Sequence, residues 1–252
     1  MNRRSTAEVQ QTILKSLAIR FLLAANAEPL LGMRDYYRFP ERAAAWGGPF
    51  NGQAARSALF ESIVAATRPR AIVETGTYLG TTTELLANAG VPVCTIEGHV
   101  RKFGYARARL LRRRNVRTFL GDSRSVLKDL LDGRLKALQK ESLFFYLDAH
   151  WNADLPLAEE LDIVFSRCPE AIVMIDDFQV PGDAGYVFDD YGPGIALNAT
   201  YIAPAVAAHG LAVFYPSTPS EKETGERSGC VVLCQAPAQC STLASDTLLS
   251  PA

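Results

Sequence analysis

The fold is decided by the stretch AIVETGTYLGTTT, residues 71–83. An apolar run ends at an acid, Glu74, and is followed by two glycines, Gly76 and Gly80, that precede a predicted helix. Glycines at a strand end let the backbone approach a ligand closely, and the free N–H groups of the helix start attract a carboxylate or phosphate. The stretch therefore indicates a nucleotide-like ligand on a parallel sheet, although the same turn also serves ordinary strand-to-helix packing.

Composition limits the class of protein. The chain has 252 residues, of which 48% are hydrophobic and 21% charged, which suffices for one α/β domain with a short N-terminal extension. Lys and Arg total 26 against 27 acids, so the net charge is −1. This balance gives no reason to expect a nucleic-acid or membrane-surface partner, and it favours a small-molecule partner.

The cysteines carry information about the compartment. Five are scattered along the chain without a Cys-x-x-Cys pair. An odd, unpaired set argues against a disulfide framework and against a zinc site, and it predicts a cytoplasmic protein.

The N-terminus resembles a signal peptide at first sight, because basic residues precede an apolar stretch that ends in Ala25-Asn26-Ala27. Lys15 and Arg20 interrupt that stretch, and its apolar residues recur at helical spacing from Ile13 onward. We predict an amphipathic helix that lies on the domain or on a second copy, which makes a homodimer through this segment plausible. No apolar run is long enough to span a bilayer.

The pattern of strands and helices predicts three parts: an N-terminal helix and cap or lid segment (1–53), one domain (54–235) and a disordered tail (236–252). Strands alternate with helices in the domain, which predicts a Rossmann-like, doubly wound, mostly parallel α/β sheet of seven strands with a C-terminal antiparallel hairpin. The predicted strands cover residues 71–74, 92–97, 117–121, 143–148, 171–176, 211–215 and 230–235.

Each of the first five predicted strands ends near an acid, and ligands of such sheets bind at these strand ends. Glu97 lies about twenty residues after the glycine turn, where an acid can accept both ribose hydroxyls of an adenosine. A nicotinamide cofactor would use the same acid. However, Thr77 and Tyr78 stand where a dinucleotide site has its second glycine, so an NAD-dependent oxidoreductase is the second hypothesis.

Residues 72–82 resemble the first motif of class I S-adenosylmethionine-dependent methyltransferases, specifically the metal-dependent O-methyltransferases typified by catechol O-methyltransferase. Macrocin-type sugar O-methyltransferases share a comparable Asp…Asp-Asp arrangement. Four further motifs follow in the same order and carry the resemblance over residues 54–177: Thr95-Ile96-Glu97, Leu120-Gly121-Asp122-Ser123, Leu147-Asp148 with His150-Trp151, and Ile175-Asp176-Asp177.

The resemblance implies a role for each matching residue. The metal segments imply that Asp148, Asp176 and Asp177 hold Mg²⁺ or another divalent cation through carboxylate oxygens. One Asp of the Asp176-Asp177 pair could instead cap the following loop. The residues expected to bind S-adenosylmethionine are Glu74, Gly76, Tyr78, Gly80, Thr82, Glu97, Asp122 and Ser123, with Glu74 either near the methionyl ammonium or fixing the loop.

The chain departs from the catechol enzymes at the expected base. Those enzymes have a lysine shortly after the first metal Asp, whereas here Ala149, His150 and Trp151 follow Asp148. His150 is the candidate catalytic base beside Asp148, and the alternative is a structural histidine that donates to a metal carboxylate or to the backbone. The implied reaction is methylation of a catechol, vicinal diol or sugar, and a catalytically idle adenosyl-binding or protein-interaction domain is a third hypothesis.

A run of basic residues between Arg101 and Arg117 forms one predicted helix. Such a helix could bind an anionic partner such as RNA. Its charges fall on several sides and few aromatic residues accompany them, which favours a solvated outer face.

Overall fold

The computed structural model describes residues 27–150 and 154–252. The helix predicted from Ile13 and its proposed dimer contact lie outside the described residues, as does Trp151. The division of the chain at residue 53 stays a prediction.

The described residues form one eight-stranded sheet with the strand order β3-β2-β1-β4-β5-β7-β6-β8. The first five strands in chain order are mutually parallel, and β7 runs antiparallel to both β5 and β6. This confirms the mostly parallel α/β sheet with antiparallel C-terminal strands. The strands are β1 (Ala71–Thr75), β2 (Val93–Glu97), β3 (Val116–Leu120), β4 (Leu143–Leu147), β5 (Ala171–Ile175), β6 (Ala212–Pro216), β7 (Val231–Cys234) and β8 (Leu249–Pro251).

Helices cover both faces of the sheet. Alternate residues of β1 face opposite layers: Ala71 and Val73 join the core beneath one set of helices, and Ile72 joins the core beneath the other. The α-helices of the described residues are α1 (Glu28–Arg38), α2 (Ala54–Thr67), α3 (Thr81–Leu86), α4 (Val100–Leu110), α5 (Ser123–Asp132), α6 (Leu157–Phe165), α7 (Ala199–His209) and α8 (Pro237–Ala244). Both faces of β1 are therefore buried, as expected for a parallel sheet.

The C-terminal segment corrects the predicted disordered tail. Helix α8 starts at Pro237, and β8 adds an eighth strand beside β6. Leu243 and Leu249 are 1% and 5% exposed and pack into the core, so apolar burial orders a segment whose composition is otherwise small and polar.

A disulfide joins Cys234 on β7 to Cys240 on α8, and it corrects the expectation drawn from the cysteine count. Disulfides persist mainly in oxidising compartments. A cytoplasmic location therefore stays a prediction. Among the described residues, no helix is both long and apolar enough to cross a bilayer.

Helix α1 packs closely across α4. A Cβ atom on Gly104 would lie 2.0 Å from the Pro29 carbonyl oxygen, so only glycine permits this helix approach. Arg101 on α4 pairs with the buried Asp35 of α1 at 2.6 Å, and Arg109 pairs with Glu84 at 2.8 Å. Part of the basic helix is thus neutralised within the fold.

Candidate cofactor and metal site

A cleft of about 930 Å³ opens at the carboxyl ends of the parallel strands. The sheet register places Thr75, Leu147 and Ile175 side by side, so the residues after these three strands meet at one level. Nine predicted site residues line the cleft: Gly76, Tyr78, Thr82, Glu97, Asp122, Ser123, Asp148, His150 and Asp177. Three do not: Glu74, Gly80 and Asp176.

Gly76 connects the two ends of the cleft. Its φ is +85°, and a Cβ atom there would lie 2.0 Å from the carbonyl oxygen of Asp148. The loop after β1 therefore rests directly on the backbone after β4, and a side chain at this position would separate them.

Gly80 serves packing. It has a φ of +75° immediately before α3, and a Cβ atom there would lie 3.2 Å from the Leu110 side chain on α4. The prediction that Gly80 approaches the cofactor is therefore not supported by its position.

Thr82 does line the cleft, and its hydroxyl accepts a hydrogen bond at 3.2 Å from the backbone N–H of Phe50 in the cap segment.

Glu97 lies at the end of β2 with both carboxylate oxygens engaged. One accepts the Tyr78 N–H and the other the His99 N–H, each at 2.7 Å. Burial raises the pKa of Glu97, and these two amides act in the opposite direction. The acid predicted to hold the ribose is thus fixed in orientation at the cleft wall.

Glu74 is buried behind the loop. It accepts hydrogen bonds of 2.5 Å from the hydroxyls of Thr83 and Thr95. Burial raises the pKa of Glu74 to about 7, although both hydroxyls oppose the shift. Of the two roles implied by the resemblance, fixing the loop is the one that this position permits.

Asp122 caps helix α5 just after β3, the strand that pairs with β2. Its carboxylate accepts the backbone N–H groups of Arg124 and Ser125 at 3.0 and 3.4 Å and pairs with the Arg124 guanidinium at 2.7 Å. That guanidinium also pairs with Asp154 and lowers the pKa of Asp122. Ser123 is buried directly beside this cap.

Asp148, His150 and Asp177 form the other end of the cleft, which we call the metal end. One potential ligand atom from each lies within 4.8 Å of the others. His150 Nε2 is 3.8 Å from Asp148 Oδ1 and 3.8 Å from Asp177 Oδ2. The His150 side chain is 2% exposed, and its Nε2 has no hydrogen-bond partner among the described residues.

The three groups perturb one another's protonation. Burial raises the pKa of Asp148 well above its usual value, and the neighbouring Asp177 adds to that rise. The pKa of Asp177 is lowered: burial opposes this, but the His150 ring and the Arg56 guanidinium outweigh it. Burial alone would lower the pKa of His150, yet the two carboxylates raise it. The two carboxylates therefore favour a positive charge on the imidazole, against the effect of burial.

Asp176 does not join this cluster. Its carboxylate forms a buried ion pair with Arg56 of α2 and accepts the hydroxyl of Tyr146. It also accepts the Asp177 N–H at 2.8 Å and faces the Ser228 hydroxyl at 3.4 Å. The predicted metal ligand is thus a structural anchor for the turn at Asp177, whose φ is +48°.

Arg56 and Tyr146 were not predicted as site residues. Arg56 occupies a position in line with Leu59, Phe60 and Ile63, which are buried at helical spacing. A basic residue on the apolar face of a helix signals a buried partner, and this signal was present in the sequence.

The loop after β5 closes over the metal end. Asp189 donates its backbone N–H to the Asp177 carbonyl at 3.0 Å. The Tyr191 hydroxyl donates at 2.5 Å to Asp189 and lies 3.2 Å from the carbonyl oxygen of His150. Phe188 and Tyr191 line the cleft, and so does Trp46 of the cap segment, which is 54% exposed.

The chain matches no protein-family model and no curated protein. Solved structures do match. An O-methyltransferase from Bacillus cereus in complex with S-adenosylhomocysteine has a TM-score of 0.55 at 15% identity, covering 81% of this chain and 90% of that one. The chain has a methyltransferase fold. At an identity this low the comparison shows the fold alone, and the cofactor and substrate must be inferred from the geometry of the site.

Two further structures agree on the fold. The O-methyltransferase TomG of Streptomyces achromogenes, involved in tomaymycin synthesis and solved with S-adenosylmethionine, gives a TM-score of 0.52 at 16% identity, covering 73% of this chain and 80% of that one. An amino pentose methyltransferase of Micromonospora echinaspora is involved in calicheamicin biosynthesis and was also solved with S-adenosylmethionine. It has a TM-score of 0.51 at 14% identity, covering 79% of this chain and 96% of that one.

Proposed function

We propose that the chain is an S-adenosylmethionine-dependent O-methyltransferase that uses a divalent cation to methylate a small molecule with adjacent oxygens, such as a catechol, vicinal diol or sugar. One observation carries the proposal. A single cleft holds a glycine turn with a fixed ribose-type acid at one end and a cation-attracting cluster at the other, joined where Gly76 touches Asp148.

The cofactor half is supported by the groups along β1, β2 and the start of α5. Glu97 presents an oriented carboxylate to the ribose hydroxyls, and Asp122 and Ser123 flank the adenine. Gly76 and Thr82 bring the backbone and the start of α3 towards the methionine carboxylate. The neighbours from Bacillus cereus and Streptomyces achromogenes hold S-adenosylhomocysteine and S-adenosylmethionine, respectively.

The acceptor half lies at the metal end. The carboxylates of Asp148 and Asp177, about a third and a quarter exposed, face the buried Nε2 of His150 and fit a dication. A bound cation would supply Lewis-acid polarisation and orientation for two neighbouring substrate oxygens. Phe188 and Tyr191 supply aromatic walls that orient a flat or ring-shaped acceptor beside these residues.

Calorimetric titration tests the proposal. The full chain is titrated with S-adenosylmethionine and S-adenosylhomocysteine, with NAD as the control, and separately with divalent cations. We expect adenosyl binding, a separate cation signal and no NAD binding. Exclusive NAD binding would replace the proposal with an oxidoreductase, and binding without turnover on catechols and sugar diols would favour the idle domain.

A pair of variants tests the division of labour within the cleft. Glu97→Gln replaces one of two oxygens that accept backbone amides by an NH₂ group, so S-adenosylmethionine affinity should fall about tenfold or more. Asp177→Asn removes one charge from the metal end and should weaken cation binding while leaving adenosyl affinity within about twofold. If each variant weakened both ligands equally, the assignment of the two ends would be wrong.

A further inference from the structure

The donor atoms that face one another at the metal end are two oxygens and one nitrogen. Asp148 Oδ1 and Asp177 Oδ2 each lie 3.8 Å from His150 Nε2, and one potential ligand atom of each residue lies within 4.8 Å of the others. This separation is too long for a hydrogen bond, so the imidazole does not satisfy either carboxylate directly. The three atoms are therefore close enough together to ligate one cation.

The orphaned nitrogen is the observation that points to a ligand. His150 is 2% exposed at its side chain, and Nε2 lacks a hydrogen-bond partner among the residues that the structure describes. Buried polar groups are nearly always satisfied, and an exception calls for an explanation, of which a bound ion is one. The atom lies 3.8 Å from each of two carboxylates, and imidazole nitrogens and carboxylate oxygens are both ligands of divalent metals.

Asp176 is unavailable as an alternative third donor. Arg56, Tyr146 and the Asp177 backbone amide engage its carboxylate, which is 2% exposed. Bringing it to the metal end would leave the Arg56 guanidinium buried without its counter-charge. The set therefore consists of two carboxylates and an imidazole, in place of the three carboxylates that the sequence predicted.

The donor set determines which cation is preferred. Mg²⁺ takes oxygen ligands almost exclusively, whereas imidazole suits first-row transition metals, whose affinities for nitrogen rise along the series from Mn²⁺. We propose that His150 is a metal ligand and not the catalytic base, and that the site selects a first-row transition dication over Mg²⁺. This inference rests on the metal end of the proposed function.

The chain offers a direct spectroscopic test because it contains only three histidines, His99, His150 and His209. Untagged apo protein is loaded with Mn²⁺, and pulsed electron paramagnetic resonance reports whether a nitrogen nucleus couples to the metal. Competition calorimetry gives the Mn²⁺ and Mg²⁺ affinities. We expect nitrogen coupling and at least tenfold tighter binding of Mn²⁺.

Variants assign the nitrogen. His150→Asp should remove the coupling and lower the preference for Mn²⁺ over Mg²⁺ at least threefold, because the set becomes all-oxygen. His99→Asn is the matched control, since His99 also lines the cleft but caps α4 with its ring, and it should keep both properties. Nitrogen coupling that survives in His150→Asp, or equal Mn²⁺ and Mg²⁺ affinities in the unaltered protein, would overturn the inference.

The outcomes separate this inference from the proposed function. Oxygen-only Mn²⁺ binding with intact S-adenosylmethionine binding would refute ligation by His150 and leave the methyltransferase standing. Failure of the unaltered protein to bind any cation would refute the inference and the metal-assisted mechanism together. S-adenosylmethionine binding and circular dichroism of His150→Asp verify its fold, and the coupling in the unaltered protein decides the case even if that variant does not fold.

Discussion

The proposed cofactor half of the cleft, which contains Glu97, and the metal end are held in place by different forces. In the proposed cofactor half, Glu97 is positioned by two backbone amides, one from Tyr78 in the loop after β1 and one from His99 just after β2. At the metal end, Asp177 is positioned by Asp176, which in turn depends on the buried charge of Arg56. The first arrangement depends on local backbone geometry, whereas the second depends on compensation of a buried charge by a distant helix.

Both halves share one property, which is unusual backbone conformation. Four residues other than glycine that line the cleft have a positive φ: Trp46, Asn51, Tyr78 and Asp177. Such conformations cost of order 1–3 kcal/mol each and persist where surrounding contacts impose them. The backbone conformations of these cleft-lining residues therefore lower the stability of the fold, and contacts around the cleft hold them in place.

Removal of Arg56 should have the largest effect. Arg56→Met leaves the Asp176 carboxylate buried without its counter-charge, so the free energy of unfolding should fall by about 3–5 kcal/mol in urea titrations. Cation affinity should also fall, because the turn at Asp177 loses its anchor. Arg124→Met, at an ion-pair network nearer the surface, is the matched control and should cost about 1 kcal/mol or less.

A double variant sharpens this test. Arg56→Met combined with Asp176→Asn removes both charges and should recover much of the lost stability. If Arg56→Met alone were as stable as the unaltered protein, the metal end would not depend on the buried pair, and the contrast with the proposed cofactor half would disappear.

The same contrast explains what could be predicted from the sequence. Glu97, Asp122 and Asp148 follow from the rule that ligands bind at the ends of parallel strands, which needs only local patterns. The motif around Asp176 could not predict that this carboxylate pairs with Arg56 and stays outside the metal cluster, because Arg56 lies on α2, far upstream.

The C-terminal segment teaches the same lesson for the fold. Its composition of small and polar residues indicated disorder, and a few apolar side chains such as Leu243 and Leu249 were sufficient to order it. Whether such a segment packs depends on a core surface that other elements create.

The second prediction concerns the pH dependence of stability. The contribution of Glu74 to the free energy of unfolding should change by about 3 kcal/mol at most. Burial raises the pKa of Glu74 to about 7, so the folded protein binds a proton that the unfolded chain releases above its usual pKa of about 4.5. The free energy of unfolding should therefore fall as pH rises from about 4.5 to 7. Glu74→Gln should remove the part of this fall that Glu74 causes, so the stability of the variant relative to the unaltered protein should increase between pH 5 and pH 8.

Urea unfolding of the ligand-free proteins at pH 5 and pH 8 provides the measurement. Asp122→Asn is the control, because Arg124 lowers the pKa of Asp122 and its titration falls below this range. A pH profile of Glu74→Gln parallel to that of the unaltered protein would show that Glu74 is ionised throughout and that its two hydroxyl partners outweigh burial.

Gly76 tests whether the two halves are one unit. Gly76→Ala places a Cβ atom 2.0 Å from the carbonyl oxygen of Asp148, whereas Gly90→Ala has a similar φ of +74° and no atom within 4 Å. Both variants place alanine in the left-handed backbone region, which lowers the free energy of unfolding in each. The difference between their free energies of unfolding therefore measures the clash, and we expect it to be about 2 kcal/mol. Because the clash pushes the loop after β1 away from the loop after β4, Gly76→Ala should weaken both S-adenosylmethionine and cation binding, and Gly90→Ala neither. Loss of only one ligand would mean that the cofactor and metal ends adjust independently, and that their contact at Gly76 serves packing alone.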